Sequence, residues 1–403
     1  MTKAAMLTGR FVRSLVVGAL VALALPSPAQ EPAPAPTAAD YRADAVALAD
    51  LLARNYAYLD DLPGGGVPSS DMLKAERDAV HDRDSLLRYA EDMITALADH
   101  HALTGRSFKD DWAIIPTYAD IWIVRSGPSF IVDNVRPGSP AAKAGIGRYD
   151  RLAAVDGVPI ADAVQAFWGR LGLAVTDERS AYAARTLAAG RRDRPRHLTI
   201  VNAQGQERVL TLASLYDDQQ ERPPISIARS IGKVTIRFNN ALFDDGTIAA
   251  FDKAMAETPP RAAVLLDLTD TPSGGSTSVA RAIMGWFVTK PMFYQMHNLP
   301  SEERETGIPR QWVEQVLPRA GKYHPGPVRV TVGRWTGSVG EGLAVGFAAL
   351  GKPVCGGAMA GLKGAVYDFD LPKTQLRVKF PAERIYTASG KPREKMVFGS
   401  CQQ

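Results

Sequence analysis

The run Val332-Gly-Arg-Trp-Thr-Gly-Ser-Val-Gly-Glu341 places a serine among small residues, where an apolar β-type segment, Val328-Arg-Val-Thr-Val332, gives way to a helical one, Gly340 to Leu350. A hydroxyl on such a strand-to-helix turn is exposed, and the free N–H groups of the helix start face any negative charge that develops beside it. Ser338 is therefore a candidate nucleophile for acyl transfer. A serine at this place is also a common helix N-cap, and on this segment alone both readings stand. A second reactive pair, His100-His101 in Leu97-Ala-Asp-His-His-Ala102, offers imidazoles that titrate near neutrality, with capping or a surface position as the alternative. Two cysteines in 403 residues cannot build a four-cysteine zinc site or a disulfide framework. They allow one bridge at most, and metal chemistry recedes accordingly.

The elements that must hold these residues follow from composition and pattern. At 46% hydrophobic and 22% charged residues the chain is neither disordered nor a coiled coil. Its length predicts two or three domains. Lys3, Arg10 and Arg13 precede the apolar run Ser14 to Leu25, and Ser27-Pro-Ala29 carries the small residues that a signal peptidase reads. Residues 1–29 are therefore expected to be a cleaved signal peptide. The alternative, a retained anchor, is disfavoured because a run of about twelve residues falls short of the ~20 that span a bilayer. Those three cations account for most of the formal charge of +4, and the remaining +1 gives no reason to expect nucleic acid as a partner. The mature protein is expected to be periplasmic or extracellular with no stable membrane span, where Cys355 and Cys401 are either bridged or left as two thiols.

After a Pro-rich linker at 30–37, helical spacing in Leu48, Leu51, Leu52 and again in Leu86, Leu87, Ala90, Met93 predicts a helical domain over 38–111. Short β-rich runs such as Ile121 to Val124 and Leu198 to Val201 predict a β-rich domain over 112–215, with Ala163 to Arg194 mostly helical and the run Arg191-Arg-Asp-Arg-Pro-Arg196 on a solvated face. From 216 to 403, strand and helix alternate: Lys233 to Phe238, Gly246 to Glu257, Ala262 to Leu268, Ser276 to Val288, then Val328 onward. That order predicts an α/β sheet with helices packed on it. A loop-rich excursion through His297, Glu302, Glu303 and Pro325 interrupts it, and its Tyr294, His297, His324 and Trp312 either line a cleft or form a solvated loop.

The segment Arg136-Pro-Gly-Ser-Pro-Ala-Ala-Lys-Ala-Gly-Ile-Gly-Arg-Tyr-Asp-Arg-Leu-Ala-Ala-Val-Asp-Gly-Val-Pro159 resembles a PDZ core. Such a module either binds a peptide by strand addition or only packs against its neighbour. The spacing of Thr336, Ser338 and Glu341 resembles the Thr-x-Ser-x-x-Glu signature of the tail-specific, or C-terminal processing, serine peptidases and their tricorn-core relatives. Val264-Leu-Leu-Asp-Leu-Thr-Asp-Thr-Pro-Ser-Gly-Gly275 is similar to their Asp-Leu-Arg-x-Asn-x-Gly-Gly element, although Thr269 and Thr271 replace the Arg and the Asn and one residue is inserted. The resemblance spans essentially the whole mature chain. It implies a ClpP/crotonase-like α/β peptidase core with an N-terminal helical domain and a PDZ-like domain, acting on protein or peptide substrates without a cofactor.

In site residues, the resemblance implies Ser338 as nucleophile and backbone donors at Gly274, Gly275 and Val339 as the oxyanion hole. Two bases are open. Lys363 follows Ser338 by 25 residues, the family's serine-to-lysine spacing, and lies in the apolar Ala360-Gly-Leu-Lys-Gly-Ala365. A lysine serves only if burial lowers its pKa, since a free ammonium near ~10.4 is already protonated. His101 matches the catalytic histidine of the tricorn-like branch, where Glu394 falls at the place of the residue that orients it. The substituted Asp-Leu-Arg element and the short tail mark a divergent member and favour His101. A catalytically silent scaffold that binds peptides or ligands is the alternative function.

Overall fold

The computed structural model describes residues 35–217 and 221–401. The expected leader, and with it most of the Pro-rich linker, lies outside these residues. Among the described residues no helix is long and apolar enough to cross a membrane.

Three helices open the described chain, Ala38–Asn55, Asp71–Ala79 and Arg83–Ala96. Each begins where a short polar side chain accepts an otherwise orphaned N–H: Thr37 from Asp40, Ser70 from Leu73, Asp82 from Ser85. Their apolar stripes converge, so that Leu48, Leu52, Leu86, Ala90, Met93 and Leu97 are all buried in one cluster. Directly after them, the two-residue strand Leu103–Thr104 pairs with Lys379 and Val378 of a long C-terminal strand, Arg377–Thr387.

The middle of the chain forms a six-stranded antiparallel sheet, with Ile121–Ser126, Ser129–Val135, Arg151–Val155, Arg196–Val201 and Glu207–Leu212 in that order and Val158–Pro159 beside the third. Helices Ile160–Gly169 and Asp177–Ala189 accompany it, with Trp168 buried and its indole N–H donating to Arg179 O at 2.8 Å. In the Arg-rich run at 191–196, residues 193–195 are exposed as expected of a solvated face, and the two ends depart from it. Arg196 is only 2% exposed and pairs at 2.5 Å with the fully buried Asp120, whose other oxygen accepts the Ala141 N–H. Arg191 lies 3.8 Å over the Trp112 ring. A buried carboxylate requires a buried cation, and basic clustering alone does not reveal that requirement.

The α/β layer is a five-stranded sheet, ordered Val354–Cys355, Val328–Thr331, Ala263–Asp267, Lys233–Phe238 and Ile225–Ser230. The first four run parallel and only the last is antiparallel, as a hairpin partner. Helices Gly246–Ala256, Thr277–Met284 and Val339–Ala349 belong to this layer, and Phe251, Ile283, Leu343 and Phe347 join Leu266 and Val330 in its core. The excursion expected as loop is instead a third sheet. Met292–Asn298 pairs antiparallel with Gln311–Val316 on one edge and with Arg377–Thr387 on the other, and Ala365–Asp370 also pairs with the latter. Polar residues at its inward positions, Gln295, His297, Glu314 and Glu383, hide the apolar alternation that normally announces a strand.

Cys355, at the sheet edge, is joined to Cys401 by a disulfide that closes a loop of 46 residues. Chain-entropy arguments give such a loop ~4 kcal/mol of stabilisation. Reduction, or the Cys355→Ser/Cys401→Ser double variant, is expected to lower the unfolding free energy by about 2 to 4 kcal/mol in urea titration. An unchanged midpoint would show that the tail is held by its backbone pairing alone.

Candidate active site

Ser338 is the residue immediately before the Val339–Ala349 helix, at φ 51° and ψ −114°. A positive φ at a non-glycine residue costs about 1 to 3 kcal/mol and persists only where its surroundings enforce it. Here they do. The Ser338 N–H donates to Glu341 Oε2 at 2.8 Å, one helical turn on. Thr336, fully buried, donates to Leu268 O at 2.8 Å and accepts the Gly333 N–H at 3.0 Å. The Thr271 N–H donates to Trp335 O and the Gly337 N–H to Thr271 O, at 2.9 and 3.1 Å, which stitches the serine turn to the loop that contains Gly274 and Gly275. Gly274 at φ 70° sits so close that a Cβ there would lie 2.3 Å from Ser338 Cβ and 2.8 Å from its Oγ. Only glycine fits.

The Ser338 hydroxyl lies 3.0 Å from Nε2 of His101. Nδ1 of the same ring is 2.5 Å from the Lys363 carbonyl oxygen. A carbonyl can only accept, so Nδ1 carries the proton and Nε2 presents its lone pair to the serine. The His101 backbone is fixed in turn, because its N–H donates to Oδ1 of buried Asp99 at 2.9 Å, while the Tyr56 hydroxyl donates to Oδ2 at 2.9 Å. Burial lowers the His101 pKa to about 4, against smaller upward pulls from the Lys363 carbonyl and Asp99.

The expected site residues therefore divide. Ser338, His101 and Gly274 come together, with Gly275 beside them and Val339 supplying the first N–H of the helix. Lys363 contributes its backbone carbonyl rather than its amine. Its Nζ lies 3.4 Å from Tyr56 Oη and 5.3 Å from the Tyr58 ring centre, and among the described residues no hydrogen bond joins it to Ser338. Glu394 does not orient His101, whose Nδ1 is already taken by a carbonyl. Its preceding neighbour does the closer work: buried Arg393 donates to Leu362 O at 3.0 Å and to Gly364 O at 2.8 Å, clasping the loop that presents the Lys363 carbonyl. His100 is turned away, accepting from Arg185 Nε at 3.2 Å and stacked 4.2 Å from the Tyr182 ring.

The sequence assigns no role to two further contributors, although Glu341 belongs to the Thr-x-Ser-x-x-Glu spacing. Glu341 is fully buried and accepts three backbone N–H groups, from Ser338, Gly361 and Leu362, at 2.8, 2.8 and 3.2 Å. Burial pushes its carboxyl up to about 7, opposed by Arg393 and those donors. Its place three residues after Ser338 is the spacing of a capping box, and that spacing is the signal for its role. Asp99 is visible only as part of an Asp-x-His string. A cleft of about 570 Å³ opens beside Ser338, lined among others by Gly275, Tyr294, Gln295, His297 and Arg393. Below it His297 lies between Glu383, 2.6 Å from Nδ1, and Glu314, 3.3 Å from Nε2, with its ring stacked 5.2 Å from that of Trp312. Burial alone would lower its pKa, but the two carboxylates raise it to about 9. His324 belongs elsewhere, with Nε2 2.9 Å from Ala262 O, and Glu302 pairs with Arg310 at 2.8 Å.

No protein-family model matches the sequence, and no curated protein matches it. Solved structures do. The photosystem II D1 C-terminal processing protease superposes with a TM-score of 0.54 at 16% identity, over 89% of this chain and 92% of that one. Mature CPAF superposes with a TM-score of 0.53 at 14% identity, over 90% and 92%. The chain shares the fold of these two proteases.

Two outcomes follow from this geometry. An NMR titration of the His101 ring is expected to show a midpoint near 4, whereas a value at the free-imidazole 6.5 would mean an open, solvated ring. Glu341→Gln turns an amide NH2 toward at least one backbone N–H, and is expected to cost about 1 to 3 kcal/mol in urea unfolding. A neutral result there would show that the loop does not depend on the carboxylate.

Proposed function

We propose that this chain is a serine peptidase, a divergent member of the tail-specific family, that hydrolyses peptide bonds of protein or peptide substrates with Ser338 as nucleophile and His101 as general base. The observation that carries the reading is the 3.0 Å contact between Ser338 Oγ and the unprotonated Nε2 of His101, beside a cleft and at a helix start. Ser338 Oγ attacks the peptide carbonyl and its proton passes to His101 Nε2. The tetrahedral oxyanion is held by backbone N–H groups from Val339 and the Gly274-Gly275 turn. Collapse expels the amine, which takes the proton from His101, and water then repeats the sequence on the acyl-enzyme. No step needs a cofactor.

The Lys363 carbonyl fixes the tautomer, the part a carboxylate plays in other serine hydrolases, and it stabilises the imidazolium as Nδ1–H becomes more acidic. The low basicity of His101 has a compensation, since the ring stays neutral and competent well below neutral pH. The β-rich region at 112–215 is read as a PDZ-like module that binds substrate tails or gates the cleft. The leader pattern and the Cys355–Cys401 bridge support an exported, periplasmic or extracellular enzyme.

Ser338→Ala is expected to abolish both peptide turnover and fluorophosphonate labelling while leaving the fold intact. His101→Ala should lower kcat by roughly 10²- to 10⁴-fold, and Lys363→Ala should retain most activity because the backbone carbonyl survives. In wild type, kcat/KM should rise through a single ionisation near pH 4, because His101 must be neutral and burial depresses its pKa. Full turnover in His101→Ala together with loss in Lys363→Ala would overturn the assignment in favour of a serine-lysine pair.

A further inference from the structure

A second concavity, of about 760 Å³, lies between the segment Arg136 to Lys143 and the α/β layer. Its charged lining is Arg136, Lys143, Arg222, Arg237, Asp244 and Asp270, four cations against two carboxylates. The imbalance is concentrated at one point. Asp270, 6% exposed at its side chain, is approached by Arg136 at 2.6 Å, Arg222 at 2.8 Å and Arg237 at 3.5 Å. One carboxylate cannot neutralise three guanidiniums. Asp267, 3.9 Å from Arg237, shares only part of the excess, and the Arg237 Nε is buried with no hydrogen-bond partner. Lys143 is exposed and makes no ion pair among the described residues. Positive charge gathered in a concavity attracts anions more strongly than the same charge spread over an open surface.

The concavity adjoins the serine cleft at one residue. Phe243 lines both, and its side chain is left 64% exposed. The Leu242-Phe243 backbone packs directly on Gly275, where a Cβ would lie 2.1 Å from the Leu242 carbonyl, and the Ser276 N–H donates to that carbonyl at 2.9 Å. Ser273 fastens the junction: its N–H donates to Asn240 Oδ1 and its hydroxyl accepts from Asn240 Nδ2, both at 2.8 Å, while Thr117 Oγ1 lies 3.1 Å from that hydroxyl. A peptide occupying both spaces would run from Ser338 past Gly275 and the Phe243 ring.

We propose that this concavity is a substrate subsite for acidic side chains, so that the enzyme prefers peptides carrying Asp or Glu a few residues to one side of the cleaved bond. The inference rests on the peptidase reading and adds a substrate class to it. An acidic residue there completes the charge balance around Arg222, Arg237 and Lys143, and the bare Phe243 ring is covered by the peptide stem.

The test is a panel of fluorogenic peptides with a single Glu or Gln moved through roughly six residues on either side of the scissile bond, a ~20 Å reach for an extended chain. Wild type is expected to cleave the best Glu peptide with kcat/KM about tenfold above its Gln counterpart, mainly through KM, and to lose that preference at high salt as screening shortens. Lys143→Glu and Arg222→Ala should bring the ratio of Glu-peptide to Gln-peptide cleavage, read within each variant, down to about one. Equal cleavage of Glu and Gln peptides at every position, or a preference unchanged in both variants, would overturn the proposal. If no peptide is cleaved, the peptidase reading fails, and the subsite is then decided by anisotropy. Ser338→Ala protein should bind labelled Glu peptides more tightly than Gln peptides, and equal or absent binding sinks it.

Discussion

The buried carboxylate of Glu341 closes a circuit on which the rest of the site depends. From one side it accepts the N–H of Ser338, holding that residue in a backbone conformation it would otherwise leave. From the other it accepts the N–H groups of Gly361 and Leu362, whose next residue, Lys363, offers its carbonyl to His101. His101 then returns to Ser338 through Nε2. Position and tautomer are thus set by one ring of hydrogen bonds, and Arg393 braces that ring through the carbonyls at 362 and 364. Three N–H donors offset part of the desolvation of this carboxylate, and losing it would leave three backbone groups unpaired at once.

The α/β alternation was legible because parallel strands buried on both faces read as continuous apolar runs: Ala262 to Leu268 was expected as strand and Ala263–Asp267 is strand. The helix after Ser338 was expected one residue late, since its first turn is built from glycine and valine rather than from strong helix formers. The third sheet was not legible. Its strands place Gln295, His297, Glu314 and Glu383 inward, and these form a hydrogen-bonded network that can be recognised only once the partners are adjacent. In the site, Ser338 and His101 carry chemistry in their side chains and could be nominated from residue type and spacing. The Lys363 contribution could not, because it is made by a main-chain oxygen, and every residue has one. Glu394 was nominated for a charge that stands one residue away from the useful one.

The histidine and the serine come from opposite ends of the described chain, and one strand brings them into register. Arg377–Thr387 pairs with Leu103–Thr104, two residues beyond His101, and with the strand that carries Gln295 and His297 to the cleft. The Ala57 N–H donates to the Pro381 carbonyl at 2.9 Å and Arg384 to the Ala57 carbonyl at 2.8 Å, which adds the start of the helical region to the same strand. Tyr56 then reaches Asp99, which holds the His101 backbone. His101 is therefore positioned by tertiary hydrogen bonds spread over the molecule rather than by the helix that precedes it.

That dependence on the last strand has a consequence for biosynthesis. His101 and Ser338 are 237 residues apart, and both the strand that seats the histidine and the arginine that braces its carbonyl partner lie beyond the serine. A growing chain that has already displayed Ser338 still lacks Arg377–Thr387 and Arg393, so the contact between its hydroxyl and His101 is not yet organised. Contacts of such long sequence separation form late, after the entropy of closing the intervening loops has been overcome. The Ser338–His101 contact is thereby among the last features of the fold to be completed, and the order of synthesis sets when it appears.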